Sequence, residues 1–225
     1  MTLVALVDVD GTLVDTNYHH ALAWSRAFRR VGLTFPLWRI HRHIGMGGDQ
    51  FVPALAGDDV ERRHGDQLRD AWAEEFEPFL PEIAAVEGAH DFLVDLREAG
   101  ARVVLASSGK PEHVEAFLDI IDGRDVAHAW TTSQDVERTK PAPDLLEAAL
   151  AKLDDVESIA PEHRDVVVVG DSTWDCVAAG RLGARSLALL TGGFSREELR
   201  EAGAQRVYDS LPELGTALAN GGLSS

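Results

Sequence analysis

The chain is short of cysteine, of basic residues and of long apolar runs, and each shortage excludes something. Cys176 is the sole cysteine among 225 residues, so no intrachain disulfide can form and the chain suits a reducing compartment. A buried, small, apolar side chain is the expected role of that thiol. No apolar stretch approaches the roughly 20 residues that a membrane-spanning helix needs. The first residues carry no basic leader, and Asp8 and Asp10 interrupt the opening hydrophobic run. A soluble cytoplasmic protein is the expectation.

Positive charge is scarce. Lys and Arg total 21 against 38 Asp and Glu, a formal net charge of −17. Such a balance repels phosphate-rich polymers, so neither nucleic acid nor a membrane is expected as a partner. A small anionic substrate would need a local cation. Only Lys110, Lys140 and Lys152 are lysines. A lysine found in a cleft therefore carries weight.

What is present is a core. Hydrophobic residues make up 45%, enough for one large domain or a core with a smaller insertion. Apolar runs at Leu3–Val9, Arg102–Ala106, Val166–Gly170 and Arg185–Leu190 lack strict alternation, as in parallel strands covered on both faces. Ala129–Thr131 and Gln205–Tyr208 are weaker strands. Helical stretches lie between them, at Ala89–Ala99, Pro111–Ile121, Ala142–Leu153, Trp174–Arg181 and Ser195–Ala202. Pro111 and Pro161 suit helix or loop starts, and Gly100 and Gly183 suit helix ends. The alternation predicts an α/β fold with a doubly wound, mostly parallel, Rossmann-like sheet.

Residues 16–87 break that rhythm. They contain no convincing strand but several helical patterns, including Asn17–Val31 and a long one at Asp58–Phe79. We expect an α-helical insertion over 16–87, set into a core made of 1–15 and 88–225. Trp24, Phe28, Trp38, Trp72 and Phe76 are expected to form its small core, and 221–225 to be a frayed tail.

Asp8-Val9-Asp10-Gly11-Thr12 follows directly on the first apolar run. Two carboxylates at the end of a buried strand are costly unless a cation or a reaction needs them. Residues 8 and 10 of an extended chain point to one side, and Gly11 allows a sharp turn beside them. A solvated turn is the plainer alternative. Ser107-Ser108-Gly109-Lys110 follows the second strand, where hydroxyls and free N–H groups can bind an anion or Ser108 can cap a helix. Thr139-Lys140-Pro141-Ala142-Pro143-Asp144 sets a rare lysine before a helix. It either neutralises a phosphate and a carboxylate or is simply solvated. Gly170-Asp171-Ser172-Thr173-Trp174-Asp175 again ends a buried strand in acids. Three carboxylates with carbonyls and water make an oxygen-rich site of the kind Mg²⁺ prefers.

These four segments, in this order, resemble the haloacid dehalogenase-like hydrolase superfamily. DVDGTLVDT, the serine of LASSG, the lysine of TKPAPD and the acids of GDSTWD match its motifs, and the helical insertion resembles its type I cap. The likeness is greatest to the branch of phosphoglycolate phosphatases, beta-phosphoglucomutases and related sugar-phosphate phosphatases. The resemblance implies Asp8 as nucleophile forming an aspartyl-phosphate, and Asp10 as acid and base. It implies Ser107, Ser108 and Lys140 as phosphate ligands. Mg²⁺ would bind Asp8, Asp10 (through its carbonyl) and Asp171, with Asp175 supporting its waters.

Asp10 favours phosphomonoesters over the carbon–halogen and ion-pumping relatives, which lack an acid there. The insertion contains no lysine of the kind phosphonate hydrolases and mutases use, and Ile44-Gly45-Met46-Gly47-Gly48-Asp49 is small where mutases carry an arginine. His20, Gly45 and Met46 are candidate substrate contacts, with a solvated helix position the alternative for His20. Arg39, His41, Arg42 and His43 either attract an anion or form a solvated face. The expectation is a Mg²⁺-dependent phosphatase acting on a small phosphorylated metabolite, as monomer or homodimer. A sugar-phosphate mutase is the alternative. A non-enzymatic phospho-acceptor module is disfavoured, since in receivers the lysine follows the hydroxyl residue on the last strand and no long helical insertion occurs.

Overall fold

Six strands carry the computed structural model, which describes residues 1–157, 160 and 164–220: β1 (Thr2–Asp8), β2 (Arg102–Ala106), β3 (Ala129–Trp130), β4 (Arg164–Gly170), β5 (Arg185–Leu189) and β6 (Arg206–Tyr208). Pro161 and the tail 221–225 lie outside the described residues. The strands form one sheet in the order β3-β2-β1-β4-β5-β6, and every pair is parallel. This is the doubly wound α/β architecture expected from the alternation of runs.

The period-two geometry of a strand divides its residues between two apolar layers. Ala5, Val7, Val103, Leu105, Val167 and Val169 face one layer, with Phe92, Phe117 and Leu214 from α5 (Ala89–Glu98), α6 (Pro111–Ile120) and α10 (Leu211–Ala219). Val4, Leu6, Val104 and Val168 face the other, packed on α7 (Asp144–Val156) and α8 (Thr173–Leu182) through Leu145, Ala149 and Ala178. α9 (Arg196–Glu201) closes a smaller cluster holding Cys176, Phe194 and Leu199. Cys176 is buried there, and burial pushes its thiol up to about 11, so it is chemically quiet.

The insertion consists of α1 (Asn17–Arg30), α2 (Leu37–His41), α3 (Gly48–Ala56) and α4 (Asp58–Phe76), followed by a 3₁₀ turn over Glu77–Glu82. The long helix expected to reach Phe79 stops at Phe76 because Pro78 has no N–H to donate back, and Pro78 and Pro81 sit in the tighter turn. Likewise α7 begins at Asp144 rather than Ala142, with Pro143 at its N-cap. Trp24, Phe28, Ile40, Phe51 and Leu68 form the insertion's own apolar cluster. Phe76 packs instead in the layer of Ala5, Val7 and Phe92, and Trp38 does not join the insertion's cluster either. On the five-residue α2 only Ile40 and His41 turn inward, and Trp38 is 68% exposed.

The insertion hangs from the core by two crossing segments. Asp15 N–H donates to Ala84 O (2.9 Å) and Val86 N–H to Leu13 O (2.9 Å), around an antiparallel bridge between Val14 and Ala85. The chain winds outward from β1 in both directions, so β1 has β2 on one side and β4 on the other. A crevice therefore opens at the carboxyl ends of β1 and β4.

Gly11 makes the turn out of β1 at φ +81°, and a Cβ there would lie 2.3 to 2.5 Å from Asn17 and Asp171 side-chain atoms. Gly32 has a similar φ of +77° with nothing within 4 Å. Gly32→Ala should therefore cost only the left-handed strain of about 1–2 kcal/mol. Gly11→Ala should cost roughly 1–3 kcal/mol more through overpacking. Urea unfolding of the two variants checks this, and equal losses would remove the crowding argument.

Candidate active site

β1 delivers Asp8 to the crevice as its last residue, and β4 delivers Asp171 one residue beyond its end. Both are buried, as are Asp175 on the first turn of α8 and Lys140 in the irregular chain before α7. Lys140 Nζ bonds Asp8 Oδ1 at 2.5 Å and Asp175 Oδ1 at 2.7 Å. Ser172 caps α8 and fixes Asp175. The Asp175 N–H donates to Ser172 Oγ (3.3 Å) and the Ser172 N–H to Asp175 Oδ2 (3.1 Å), a capping box, and the serine hydroxyl also donates to Oδ2 (2.6 Å). Thr12 Oγ1 lies 2.9 Å from Asp171 Oδ1 and 3.2 Å from Asp8 Oδ2, and its single proton bonds one at a time. Asn17 Nδ2 donates to Asp171 Oδ2 at 2.8 Å.

Asp10 faces different company. His20 Nε2 is 2.9 Å from Asp10 Oδ1, Thr16 Oγ1 donates to the same oxygen (3.1 Å), and Ser107 Oγ donates to Oδ2 (3.3 Å). His20 is itself clamped, stacked on Phe76 with ring centroids 4.3 Å apart and an interplanar angle of 8°. Ser107 is buried and also receives the Gly109 N–H (3.0 Å). Ser108 does not cap α6, which has Lys110 at its N-cap and no side-chain cap bond.

Electrostatics follow from this geometry. Burial raises the Asp8 carboxyl well above the usual range against the pull of Lys140, and repulsion from Asp175, Asp171 and Asp10 adds to the rise. Burial and Asp175 push Asp171 up to about 7. Asp10 goes the other way. Burial would raise it, but His20, Thr16 and Lys140 together hold it below the usual carboxylate range. Burial would lower Lys140, yet Asp175 and Asp8 raise it, so it remains an ammonium.

Oxygens of Asp8, Asp171 and Asp175 all lie within 4.8 Å of one another. The Asp10 carboxylate stands apart from this trio, turned toward His20. Asp175, expected behind the other acids, is in direct reach of them. One ammonium cannot balance three carboxylates, so the surplus negative charge suits a hard cation with oxygen ligands.

A cavity of about 290 Å³ opens beside these groups, between the insertion and the sheet. The candidate contacts His20, Gly45 and Met46 all line it, as do Asp8, Asp10, Ser108 and Lys140. Sequence reasoning missed several of its walls. Trp24 and Trp72 belong to it as well as to the insertion's packing, and Arg69, His113 and Phe117 line it too. Arg69 gives no free cation. Glu61 (2.9 Å) and Asp66 (2.8 Å) bracket its guanidinium.

None of Arg39, His41, Arg42 and His43 occurs among the described residues of the cavity wall. Two of them dock the insertion instead: His41 Nε2 bonds Gly192 O (2.8 Å), and Arg42 pairs with Glu198 over the Phe194 ring. Thr12, Thr16 and Asn17 were also missed as partners of the acids. Their only signal was their place in the turn and at the helix start that follow Asp10.

The family model of haloacid dehalogenase-like hydrolases matches residues 3–183. Validoxylamine A 7'-phosphate phosphatase of Streptomyces hygroscopicus subsp. limoneus is 26% identical, over 85% of this chain and 87% of its own. Protein CbbY of Cereibacter sphaeroides is 29% identical over 93% of each chain. Among solved structures, a hydrolase from Pseudomonas syringae superposes with a TM-score of 0.86 at 32% identity, over 98% of this chain and 99% of that one.

Proposed function

The chain belongs to the haloacid dehalogenase-like hydrolases, and on that premise we propose that it hydrolyses small phosphate monoesters through an aspartyl-phosphate on Asp8. One observation carries the reading. Two acids two residues apart, Asp8 and Asp10, stand in opposed surroundings, one paired with Lys140 and one with His20, at the same cavity. Their partners divide the roles. The Lys140 ammonium works against the burial that raises Asp8 and favours the ionised form that can attack. Asp10 lies among hydrogen-bonding groups beside the cavity, where it can carry a proton.

In the first step an Asp8 oxygen bonds to phosphorus as the P–O bond to the alcohol breaks, and Asp10 gives the departing oxygen its proton. Asp10 is a carboxylate in the free site. A dianionic phosphate arriving beside it raises its proton affinity, so that it takes up a proton from solvent as the substrate binds. In the second step Asp10 takes a proton from water as that water attacks phosphorus, which frees Asp8 and releases phosphate. Lys140 and Ser107 face the phosphoryl oxygens, and Lys140 trades its hold on Asp8 for the transferred group.

The buried oxygen set fits Mg²⁺, which Asp8, Asp171 and the Asp10 carbonyl would hold, with Asp175 within reach beside them. When bound it would supply positive charge against the phosphoryl oxygens and ease their approach to the Asp8 carboxylate. Excess EDTA is expected to abolish phosphate release from p-nitrophenyl phosphate, Mg²⁺ to restore it, and Ca²⁺ to inhibit because its larger, looser shell misplaces the nucleophile. Full activity in EDTA would sink the metal assignment.

The same reading makes residues 16–87 a cap domain over a core of 1–15 and 88–225, and the substrate a small metabolite. About 290 Å³ lies at the small end of ligand pockets. Trp24, Ile44, Met46 and Phe117 give it apolar walls. Trp72 Nε1 is buried without a partner, a donor left for a substrate oxygen. With Arg69 already neutralised, hydrolysis is preferred to the mutase reaction. Glucose 1-phosphate should yield free glucose if it is accepted, and glucose 6-phosphate as the product would reverse that choice. Among the described residues no helix is long and apolar enough to cross a membrane.

A further inference from the structure

Lys140 sits in a stretch with no regular secondary structure, between β3 and α7. A side chain that must meet Asp8 and Asp175 at hydrogen-bond distance needs its backbone held by something else. On the core side Arg181 Nη1 donates to Pro141 O (2.8 Å). The other hold comes from the insertion. Gly47 N–H donates to Thr139 Oγ1 (3.0 Å), Thr139 Oγ1 donates to Asp49 Oδ1 (2.5 Å), and Thr139 N–H donates to Asp49 Oδ2 (3.1 Å). Thr139 is the residue before Lys140.

The approach is close enough to require the glycines. A Cβ on Gly47 would fall 2.5 to 2.7 Å from the Thr139 side chain. A Cβ on Gly45 would fall 2.5 Å from Ser172 Oγ, the hydroxyl that fixes Asp175. One short loop of the insertion thus presses on both core loops that orient the Lys140–Asp175 pair. That loop reaches the core across a hinge at 13–15 and 84–86, and swinging the insertion away would break all three bonds to Thr139.

We propose that Asp49 is a positioning residue: from the insertion it clamps Thr139 and thereby sets Lys140 in the phosphate site when the cavity is shut. The proposal rests on the phosphatase reading for its consequence in turnover. The catalytic pair is then complete only while the substrate is enclosed, which ties the rate to closure of the cavity.

The test uses the full chain, Mg²⁺ and p-nitrophenyl phosphate. Asp49→Ala should lower kcat by about 10- to 100-fold with KM changed less than about threefold. Thr139→Val should lower kcat less, since its N–H still reaches Asp49, and Thr139→Ser should stay near wild type. In a Lys140→Ala background, Asp49→Ala should add nothing to the loss, because it acts through that lysine. Asp59→Ala, at an exposed position of α4, is the neutral control.

A raised KM with unchanged kcat, or a full Asp49→Ala effect persisting without Lys140, would overturn the proposal. Asp49→Asn, which keeps one acceptor oxygen, gives an intermediate kcat and guards against a misfolded alanine variant. Hydrogen exchange at the 139 and 140 amides provides a readout free of turnover. It should quicken at least about tenfold in Asp49→Ala and not in Asp59→Ala. Unchanged exchange refutes the clamp. If the wild-type protein released no phosphate from any monoester, the phosphatase reading would fall while exchange still decided the clamp.

Discussion

Asp8→Asn is expected to stop phosphoryl transfer entirely, while Asp10→Asn should trap the phosphorylated protein. An amide at residue 8 is a poor nucleophile toward phosphorus, and replacing a nucleophile costs on the order of 10⁴–10⁶ in rate. Asp10→Asn leaves Asp8 and its bond to Lys140 in place but removes the group poised between His20, Thr16 and Ser107. An alkyl phosphate needs a proton on its leaving oxygen, so its first step becomes very slow. p-Nitrophenolate leaves without one, so that substrate still phosphorylates Asp8. Water then lacks its base, and the intermediate accumulates. Rapid quenching should show near-stoichiometric, acid-stable, hydroxylamine-labile phosphate on Asp10→Asn and none on Asp8→Asn. Label on Asp8→Asn instead would exchange the two roles.

The second large effect is expected at Lys140. Its ammonium is the buried cation bonded to both Asp8 and Asp175. Lys140→Ala leaves three carboxylates crowded together and nothing to meet the phosphoryl oxygens on that side. A fall in kcat of about 10²–10³ is expected. Lys152 serves as the internal comparison. It pairs with Asp135 at 2.8 Å on the surface, its side chain 41% exposed, and exposed pairs of this sort contribute little. Lys152→Ala should therefore leave the rate within about twofold. Matching losses from the two substitutions would deny Lys140 any special place.

The legible parts of the molecule were those whose cause is local. β1, β2, β4 and β5 are written as mostly apolar runs without alternation because each is covered on both faces. The four acids and Lys140 stood out because their positions at strand ends and before helices recur along the chain. α3 was not legible: it starts on Gly48 and carries Pro53 inside, residues that argue against a helix until tertiary packing outweighs them. α2 is a single turn, too short to show a period. The Asp49–Thr139 link joins residues 90 positions apart, and Arg69 reaches the cavity only because α4 packs across α1 and α3. Neither leaves a pattern in a window of neighbouring residues. Trp38 misled for the converse reason, since an aromatic at plausible spacing says nothing of which side of a short helix faces in.

The central position of β1 also governs the order in which the molecule can assemble. Val4 pairs with Arg102 on one side and with Val166 on the other, partners about a hundred and about 160 residues further along the chain. The insertion, by contrast, is closed by contacts among α1 to α4 and can gather its cluster early. Long-range parallel pairing is the slow part of such a chain, because loop closure must come before any contact rewards it. During synthesis the strand bearing Asp8 therefore keeps one edge unpaired until the segment carrying Asp171 has emerged. No shorter fragment can bring the two acids together.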